Sequence, residues 1–340
     1  MNNKLIAYSV LDLAIVPQGN SVRETLMNTI ALAQKAEAFG YTRFWLAEHH
    51  NMAAVASSAP VVIIGRVAQE TTTIRVGSGG IMLPNHAPLI VAEQFGTLGN
   101  LYPNRIDLGL GRAPGTDPET TRAIRSDFME MAHSFPEEIE KIQNYFSINN
   151  QKAKVRAKVA EGVDVPLYIL GSSTESAHLA ARKGLPYAFA SHFATAQLFN
   201  AMAIYRNEFM PSEVLQKPYV IAGINVYVAD TDEEAERMAT SFIKMIVGIL
   251  TGARKEYLDE AGEMTPDLKE MLEHPTVQQM TRYTFIGNKD TVKEQIRSFL
   301  EQTQVDEVIV ATNCHNQKSR IRSFELFAEI MNELNVEELS

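Results

Sequence analysis

The sequence contains a single cysteine, Cys314, in 340 residues, so it cannot form a disulfide within the chain. We therefore expect a protein of a reducing compartment, the cytoplasm. No stretch approaches the roughly eighteen consecutive apolar residues that a membrane-spanning helix requires. The apolar run at residues 5–16 is interrupted by Asp12 and lacks the basic start and cleavage site of a secretory signal peptide. These absences predict a soluble protein without a membrane partner.

Blocks of five or more basic residues are also missing, and the formal net charge is −10. Both features argue against nucleic acid as a partner. No GxGxxG or GxxxxGK[ST] motif follows an apolar run, which argues against a Rossmann nucleotide site and a P-loop. No HExxH or similarly tight ligand spacing occurs, so we predict no metal site.

The sequence does contain a regular alternation of short apolar runs with segments of helical periodicity. Eight runs are strand candidates, each followed by a helix: LIAYSVLDL, RFWLA, IRVGSGGIML, IDLGLG, PLYILG, PYAFAS, YVIAGINVYVA and DEVIVAT. The first helix carries a capping-box signature in Ser21 and Glu24. Eight such units predict an α/β fold, a TIM (β/α)8 barrel with extended loops, formed by residues 1–340 as a single domain.

Two regions are longer than the connections of such a barrel need to be, residues 135–164 and residues 251–288. Excess length in a barrel often serves to close the active site over its substrate. We therefore predict that residues 251–288 form a lid.

Active sites of TIM barrels lie at the carboxyl ends of the strands, and the second apolar run ends there in EHHN, residues 48–51. Because neighbouring residues of a strand point to opposite faces, two adjacent histidines rarely bind one metal ion. The polar groups could simply satisfy backbone atoms at a strand end. Three polar neighbours in this place favour a functional role for Glu48 and His49, whereas His50 fits either interpretation equally.

A second group of candidates suits an anion. Arg112 follows the fourth run and Arg122 lies ten residues later, whereas Ser172, Ser173 and Ser176 lie at the start of the helix after the fifth run. Free N–H groups at a helix start, together with arginines, suit a phosphate. The alternative is that Ser173 is an ordinary N-cap and that both arginines pair with surface acids.

Gly79 and Gly80 interrupt the third run. Glycines weaken a strand unless another group must approach its backbone closely. A planar cofactor against that backbone and a β-bulge are both compatible with the pattern.

Four stretches together resemble the bacterial luciferase-like, flavin-dependent monooxygenase family: RFWLAEHHN, IRVGSGGIMLPNHAPLIVAEQFGTL, YPNRIDLGLGRAPGTD and YILGSSTESAHLAARKGLP. The resemblance extends over residues 5–331. It implies a TIM barrel that uses reduced FMN and O2 to oxygenate a small organic substrate through a flavin C4a-peroxide, in a pocket that excludes water. It also implies that a flavin reductase supplies the reduced FMN.

By position, the resemblance implies that His49 is the active-site histidine and Glu48 the acid beside it. A histidine ordinarily titrates near pH 6.5, so it can exchange protons with the flavin near neutral pH. The residues that match the isoalloxazine contact are Ser78, Gly79 and Gly80, and those that match the phosphate group are Arg112, Arg122, Ser172, Ser173 and Ser176.

The sequence departs from true luciferase, which has a reactive cysteine in place of Gly111 and is a heterodimer. We expect a homodimer that buries helices at residues 59–67 and 91–98, where Gly65 and Gly96 permit close packing. The sequence does not identify the substrate. Two other functions fit the same stretches: an F420-dependent oxidoreductase of the same superfamily and a non-catalytic flavin-binding protein.

Overall fold

The computed structural model describes residues 5–253 and 255–339. Within these residues nine parallel strands form one sheet: β1 (Ala7–Asp12), β2 (Arg43–Leu46), β3 (Arg75–Met82), β4 (Ile106–Gly111), β5 (Leu167–Gly171), β6 (Tyr187–Phe189), β7 (Val220–Val228), β8 (Thr284–Gly287) and β9 (Glu307–Ala311). Strands β1 to β7 and β9 close into a barrel, because β6 pairs with β7 at the point of closure. The predicted TIM barrel is therefore confirmed.

Helices cover the outside of the barrel. In the described part of the chain they are α1 (Val22–Ala38), α2 (Pro60–Glu70), α3 (Pro88–Leu101), α4 (Pro118–Ile124), α5 (Phe128–His133), α6 (Phe135–Phe146), α7 (Thr174–Lys183), α8 (Leu198–Glu208), α9 (Asp232–Thr251), α10 (Pro266–Glu273), α11 (Pro275–Thr281), α12 (Lys289–Thr303) and α13 (Gln317–Leu339). Short 3-10 turns follow β3 (Leu83–Asn85) and α6 (Ile148–Lys152). The capping box that precedes α1 is confirmed: Ser21 accepts a hydrogen bond from the backbone of Glu24, whose carboxylate accepts one from the backbone of Ser21.

Strand β8 was not among the eight predicted strands. It is four residues long and pairs with the second half of β7, outside the closed barrel. Its sequence TFIG contains only two apolar residues, whereas the runs that predicted β2 and β6 each contain four in succession, so it does not stand out from a loop. The helical periodicity of residues 118–131 predicts one helix, but the structure has two, α4 and α5, because Arg125 adopts an extended conformation between them.

Alternate side chains of each barrel strand point outward to the helices or inward to the barrel axis, as strand geometry requires. In β2, Phe44 and Leu46 pack in the large core shared with the helices. Trp45 and the following Ala47 belong to a separate cluster made almost entirely of strand residues. That cluster fills the inside of the barrel, and it consists of Leu11, Trp45, Ala47, Tyr168, Ala188, Ile221 and Ile309.

A buried ion-pair network fills the amino end of the barrel. The guanidinium of Arg43 donates to Asp107 and to Glu307, each at 2.8 Å, and also to the hydroxyl of Tyr168 at 2.8 Å. Tyr219 donates to Glu307 at 2.8 Å. The two carboxylates raise the pKa of Arg43 despite its burial. Because each buried charge here has several partners, the network closes this end as a structural plug and leaves ligand binding to the opposite end.

No helix in the described ranges is both long enough and apolar enough to cross a membrane. Both glycines of the predicted dimer helices face residues of the same chain. A methyl group on Gly65 would lie 3.4 Å from Leu98, and one on Gly96 would lie 2.6 Å from the backbone of Ala160. Internal packing thus requires a glycine at position 96, whereas a methyl group on Gly65 would make only an ordinary contact, and the homodimer stays a prediction.

Candidate functional site

The mouth of the barrel is the end formed by the loops after β1–β7 and β9. The loops that follow β2, β3 and β4 contact each other there. The backbone N–H of His50 donates to the carbonyl of Gly115 at 3.2 Å, and Thr116 donates to the carbonyl of His50 at 2.8 Å. Asn85 donates to the carbonyl of Pro114 at 3.0 Å. Three stretches that are distant in sequence are therefore held together as one wall of the mouth.

His49 continues the inward-facing side of β2, two residues after Ala47. Its Nδ1 atom lies 3.1 Å from the carbonyl oxygen of Gly115. Because a carbonyl can only accept, Nδ1 carries a proton, and the lone pair of the neutral ring lies on Nε2. Gly115 has a φ of +68°, and a side chain there would lie 2.7 Å from the carbonyl of Glu48, so only glycine fits. The structure thus fixes both the direction and the tautomer of His49.

Glu48 points outward, away from the barrel axis, and its side chain connects the same three loops. Its fully buried carboxylate accepts hydrogen bonds from His50 at 2.7 Å, from His86 at 2.8 Å and from the backbone N–H of Met82 at 3.0 Å. Burial alone would raise the pKa of Glu48, but these bonds together lower it to about 2. The carboxylate stays ionised at neutral pH and positions the loop that carries His49.

The glycine pair of β3 lies where the barrel interior is crowded. A methyl group on Gly79 would lie 2.8 Å from Leu11, and one on Gly80 would lie 2.7 Å from the carbonyl of Gly109. The peptide bond between Gly79 and Gly80 is cis, and the register between β3 and β4 shifts at this point. Ser78 bridges the irregularity, because its hydroxyl donates to the carbonyl of Gly109 at 2.9 Å. Packing therefore requires the glycines, and their contact with an isoalloxazine ring stays a prediction.

The phosphate candidates are at the start of α7. Ser173 is the N-cap residue, but its side chain does not cap a helix N–H. Hydrogen bonding to Ser173 lowers the pKa of Glu175, and the nearby charge of Arg112 lowers it further. Ser176 donates to the carbonyl of Ser173 at 2.8 Å. The structure thus brings exposed Arg112 to the start of α7, next to a carboxylate.

The remaining candidates differ in position. Ser172 is exposed and lines a cavity of about 290 Å³ together with Thr195 and Gln279. Arg122 is exposed on α4, and its contact with a phosphate stays a prediction. A methyl group on Gly171 would lie 1.7 Å from the hydroxyl of Ser176, so this glycine makes room for the serine.

The predicted lid, residues 251–288, contacts two loops at the mouth, and its last residues form β8 beside β7. Arg254 within it lies outside the described residues. Leu258 exchanges backbone hydrogen bonds with the loop after β1, through Val16 at 3.2 Å and Gln18 at 2.8 Å. At the other side, Thr195 of the loop after β6 donates to the carbonyl of Gln279. A hydrophobic cluster formed mainly by α9, α10, α11 and the residues before α10 is rich in methionine, which adapts readily to irregular apolar shapes: Met238, Met245, Met264, Met271 and Met280.

Several residues of the site were not predicted from the sequence. Asn85 and His86 lie in the turn after β3. Asn85 donates to the carbonyl of Pro114, and His86 donates to the carboxylate of Glu48. Gly115 binds His49 directly, and His192 lies at the exit of β6. The clue to the first pair is a polar dipeptide in the turn that follows β3, separated from the strand by two residues. The described residues include no group of three side chains suited to a metal ion.

Comparisons with known proteins agree with this architecture. The profile of the luciferase-like monooxygenase family matches residues 7–307. A luciferase-like monooxygenase of Escherichia coli is 43% identical over 98% of this chain and 99% of its own length. The N-acetyl-S-alkylcysteine monooxygenase of Bacillus subtilis is 31% identical over 96% of this chain and 98% of its own.

Among solved structures, apo-MsnO8 is similar with a TM-score of 0.88 and 34% identity, covering 96% of this chain and 98% of that one. Two more distant structures share the fold alone. One is the oxygenating constituent of 3,6-diketocamphane monooxygenase from Pseudomonas putida in complex with FMN, with a TM-score of 0.72, 16% identity and coverage of 96% and 97%. The other is an F420-dependent secondary alcohol dehydrogenase, with a TM-score of 0.67, 14% identity and coverage of 96% and 98%.

Proposed function

The chain belongs to the luciferase-like monooxygenase family, and we propose that it is an FMN-dependent monooxygenase that oxygenates a small organic substrate. The observation that carries the proposal is the inward-facing His49, held in one tautomer at the mouth of the barrel by Gly115. Relatives named as monooxygenases support the reaction class.

The residues at the mouth are compatible with FMN. Arg112 and the N–H groups at the start of α7 offer a cation and a helix dipole to one phosphate. Glu175 competes for that cation, so a bound phosphate would have to share Arg112 with it. The neighbouring cavity of about 290 Å³ beside Ser172 leaves room next to the proposed phosphate position. The ring system would then extend toward β3 and His49.

Reduced FMN, when bound, supplies the electrons with which one atom of O2 enters the substrate and the other leaves as water. His49 would accept and return a proton at Nε2 while the carbonyl of Gly115 keeps its Nδ1 protonated. Glu48 would keep the loop of His49 in place through His50 and His86. The segment at residues 251–288 would exclude water from the mouth.

An F420-dependent oxidoreductase is the second candidate, because an F420-dependent dehydrogenase shares the fold. A flavin-binding protein without catalysis is the third, and the orientation of His49 argues against it. For the FMN enzyme we also propose a flavin reductase as the source of reduced FMN, a cytoplasmic location and a homodimer.

Cofactor titration followed by absorbance tests the proposal. We expect FMN to bind, F420 to bind more weakly, and Arg112→Ala to lower FMN affinity about ten- to hundredfold, since a charge-assisted contact contributes about 1.5–3 kcal/mol. Riboflavin, which lacks the phosphate, should bind the wild type and Arg112→Ala with equal affinity. Arg66→Ala is a matched control, because Arg66 is exposed on α2 and paired with Glu70. Tighter binding of F420 than of FMN would favour the second candidate.

A further inference from the structure

His192 lies directly across the mouth from His49. The closed barrel has the strand order β1, β2, β3, β4, β5, β6, β7, β9, so β2 and β6 are diametrically opposite. His49 follows β2 and His192 follows β6. His49 keeps the inward parity of β2, since Ala47 belongs to the cluster inside the barrel. His192 lies in a turn beyond β6, so its direction is given by its contact with β7. A ligand that enters the mouth therefore passes between two imidazoles.

A missing side chain on β7 makes room for the ring of His192. Ile221, two residues before Gly223, belongs to the cluster inside the barrel, so Gly223 also faces inward. A methyl group on Gly223 would lie 2.4 Å from Nδ1 of His192. The imidazole thus occupies the space of a side chain at Gly223 and forms the inner wall of the mouth one layer above Ile221.

Several hydrogen bonds hold His192 in this place. Ser191 donates to the carbonyl of Gly223 at 2.6 Å. Asn225 donates to the carbonyl of His192 at 2.7 Å and to the hydroxyl of Thr284 at 3.2 Å. The backbone of His192 is therefore fixed to β7, and through Asn225 to β8, which is the arrangement that a preformed binding site requires.

The ring of His192 is neutral at physiological pH. Burial, and to a smaller extent the neighbouring His49, lower the pKa of His192 to about 4. Its Nδ1 atom is buried and has no hydrogen-bond partner within residues 5–253 and 255–339. Because a buried N–H without a partner is costlier than a buried lone pair, the proton belongs on Nε2. The ring as a whole is only partly buried, and of its two nitrogens only Nδ1 is a buried atom without a partner, so the Nε2–H is the polar atom that a ligand can reach.

Building on the proposed function, we propose that His192 is a substrate-binding residue whose Nε2–H donates a hydrogen bond to an uncharged oxygen of the substrate, such as the carbonyl of a ketone, ester or amide. The substrate then lies between His192, which holds its polar group, and His49, which handles the proton. A carboxylate is disfavoured in this position, because a neutral imidazole offers it no charge to replace its lost hydration.

The test compares three probes of similar length and different charge: methyl butyl ketone, hexanoate and hexylammonium. Each is titrated into protein with ¹⁵N-labelled histidine, with and without FMN, and the Nε2 resonance of His192 is followed by NMR. We expect a saturable shift with the ketone and at least about threefold weaker binding of either ion. Without any probe, the His192 signals should stay those of the Nε2–H tautomer from pH 8 down to pH 5.

Three variants complete the test. His192→Phe should weaken ketone binding about three- to tenfold, the loss expected for one hydrogen bond. His192→Gln should retain part of the affinity, because its amide can still donate, and it guards against a packing defect of the first variant. His178→Gln is the matched control, since His178 is paired with Glu208 on the outer helices. FMN affinity should be unchanged in all three.

Equal binding of hexanoate and ketone, unchanged ketone affinity in His192→Phe, or no saturable response of His192 in either form would overturn the inference. Titration of His192 near pH 6.5 would also overturn it. Failure of the protein to bind FMN would instead count against the proposed function, while the titrations without FMN would still decide the role of His192.

Discussion

Replacing Glu48 by glutamine tests whether its carboxylate holds the loops at the mouth together. The substitution keeps the size of the side chain and removes its charge. The carboxylate accepts from His50, His86 and the backbone of Met82, whereas an amide nitrogen can only donate and would face one of these donors. A depression of the Glu48 pKa from 4.5 to about 2 corresponds to about 3 kcal/mol of stability. We therefore expect Glu48→Gln to lower the free energy of unfolding by about 3 kcal/mol at pH 7.

The effect should depend on pH in a defined direction. Because the pKa of Glu48 is lower in the folded state than its ordinary value of 4.5, the stabilisation is complete above pH 4.5. It is lost as pH falls toward about 2, when the folded protein also becomes protonated at this site. The difference between wild type and Glu48→Gln should thus shrink by about 0.8 kcal/mol on going from pH 7 to pH 4.

Urea denaturation followed by tryptophan fluorescence measures both effects, because Trp45 is buried inside the barrel. Glu329→Gln is a suitable control, since Glu329 is a half-exposed partner of Lys289 on the surface and should contribute less than about 1 kcal/mol. A loss below about 1 kcal/mol in Glu48→Gln would refute the reasoning that the carboxylate holds the loops together. A loss that is the same at pH 7 and pH 4 would show that its charge is not the cause.

Three further predictions follow from other parts of the chain. His49→Ala should leave FMN affinity nearly unchanged but lower turnover by about 10²–10⁴ and send more oxygen to hydrogen peroxide; a less stable variant with unchanged peroxide yield would make His49 a structural residue. Asp107→Asn should cost about 3–5 kcal/mol of unfolding free energy, because it leaves the buried Arg43 without one of its two carboxylates, while FMN affinity stays within about twofold. Light scattering should give the mass of a dimer, and Val62→Lys should shift it toward monomer, since Val62 is 72% exposed on α2; a monomeric wild type would contradict the dimer.

The sequence predicts the barrel well, because eight apolar runs of strand length alternate with helical periodicity over the whole chain. It does not predict β8, whose four residues TFIG include only two apolar ones and so form no apolar run. It also does not predict the break between α4 and α5, where the extended backbone of Arg125 divides one periodic segment. In both cases local pattern is outweighed by tertiary packing, which a single sequence does not display.

The same limit separates the predicted from the unpredicted site residues. Strand exits can be located in the sequence, so Arg112 and the serines around the start of α7 were found as candidates. His86 and Gly115 act through contacts with residues more than thirty positions away, and no spacing rule links such partners. His192 follows a strand exit, but only Gly223, on the neighbouring strand, shows that its ring turns inward.

The stretch EHHN shows how one anchored residue resolves the ambiguity of a polar strand end. Because side chains alternate along a strand, either His49 faces into the barrel, or Glu48 and His50 do, and the composition of the stretch favours neither arrangement. Arg43 settles the choice, because its ion pairs with Asp107 and Glu307 require it to point into the barrel. Counting in steps of two from Arg43 then passes Trp45 and reaches His49 on the inward side. Glu48 consequently faces outward, where its charge binds loops and not a substrate, and the two residues that look alike as candidates have separate tasks.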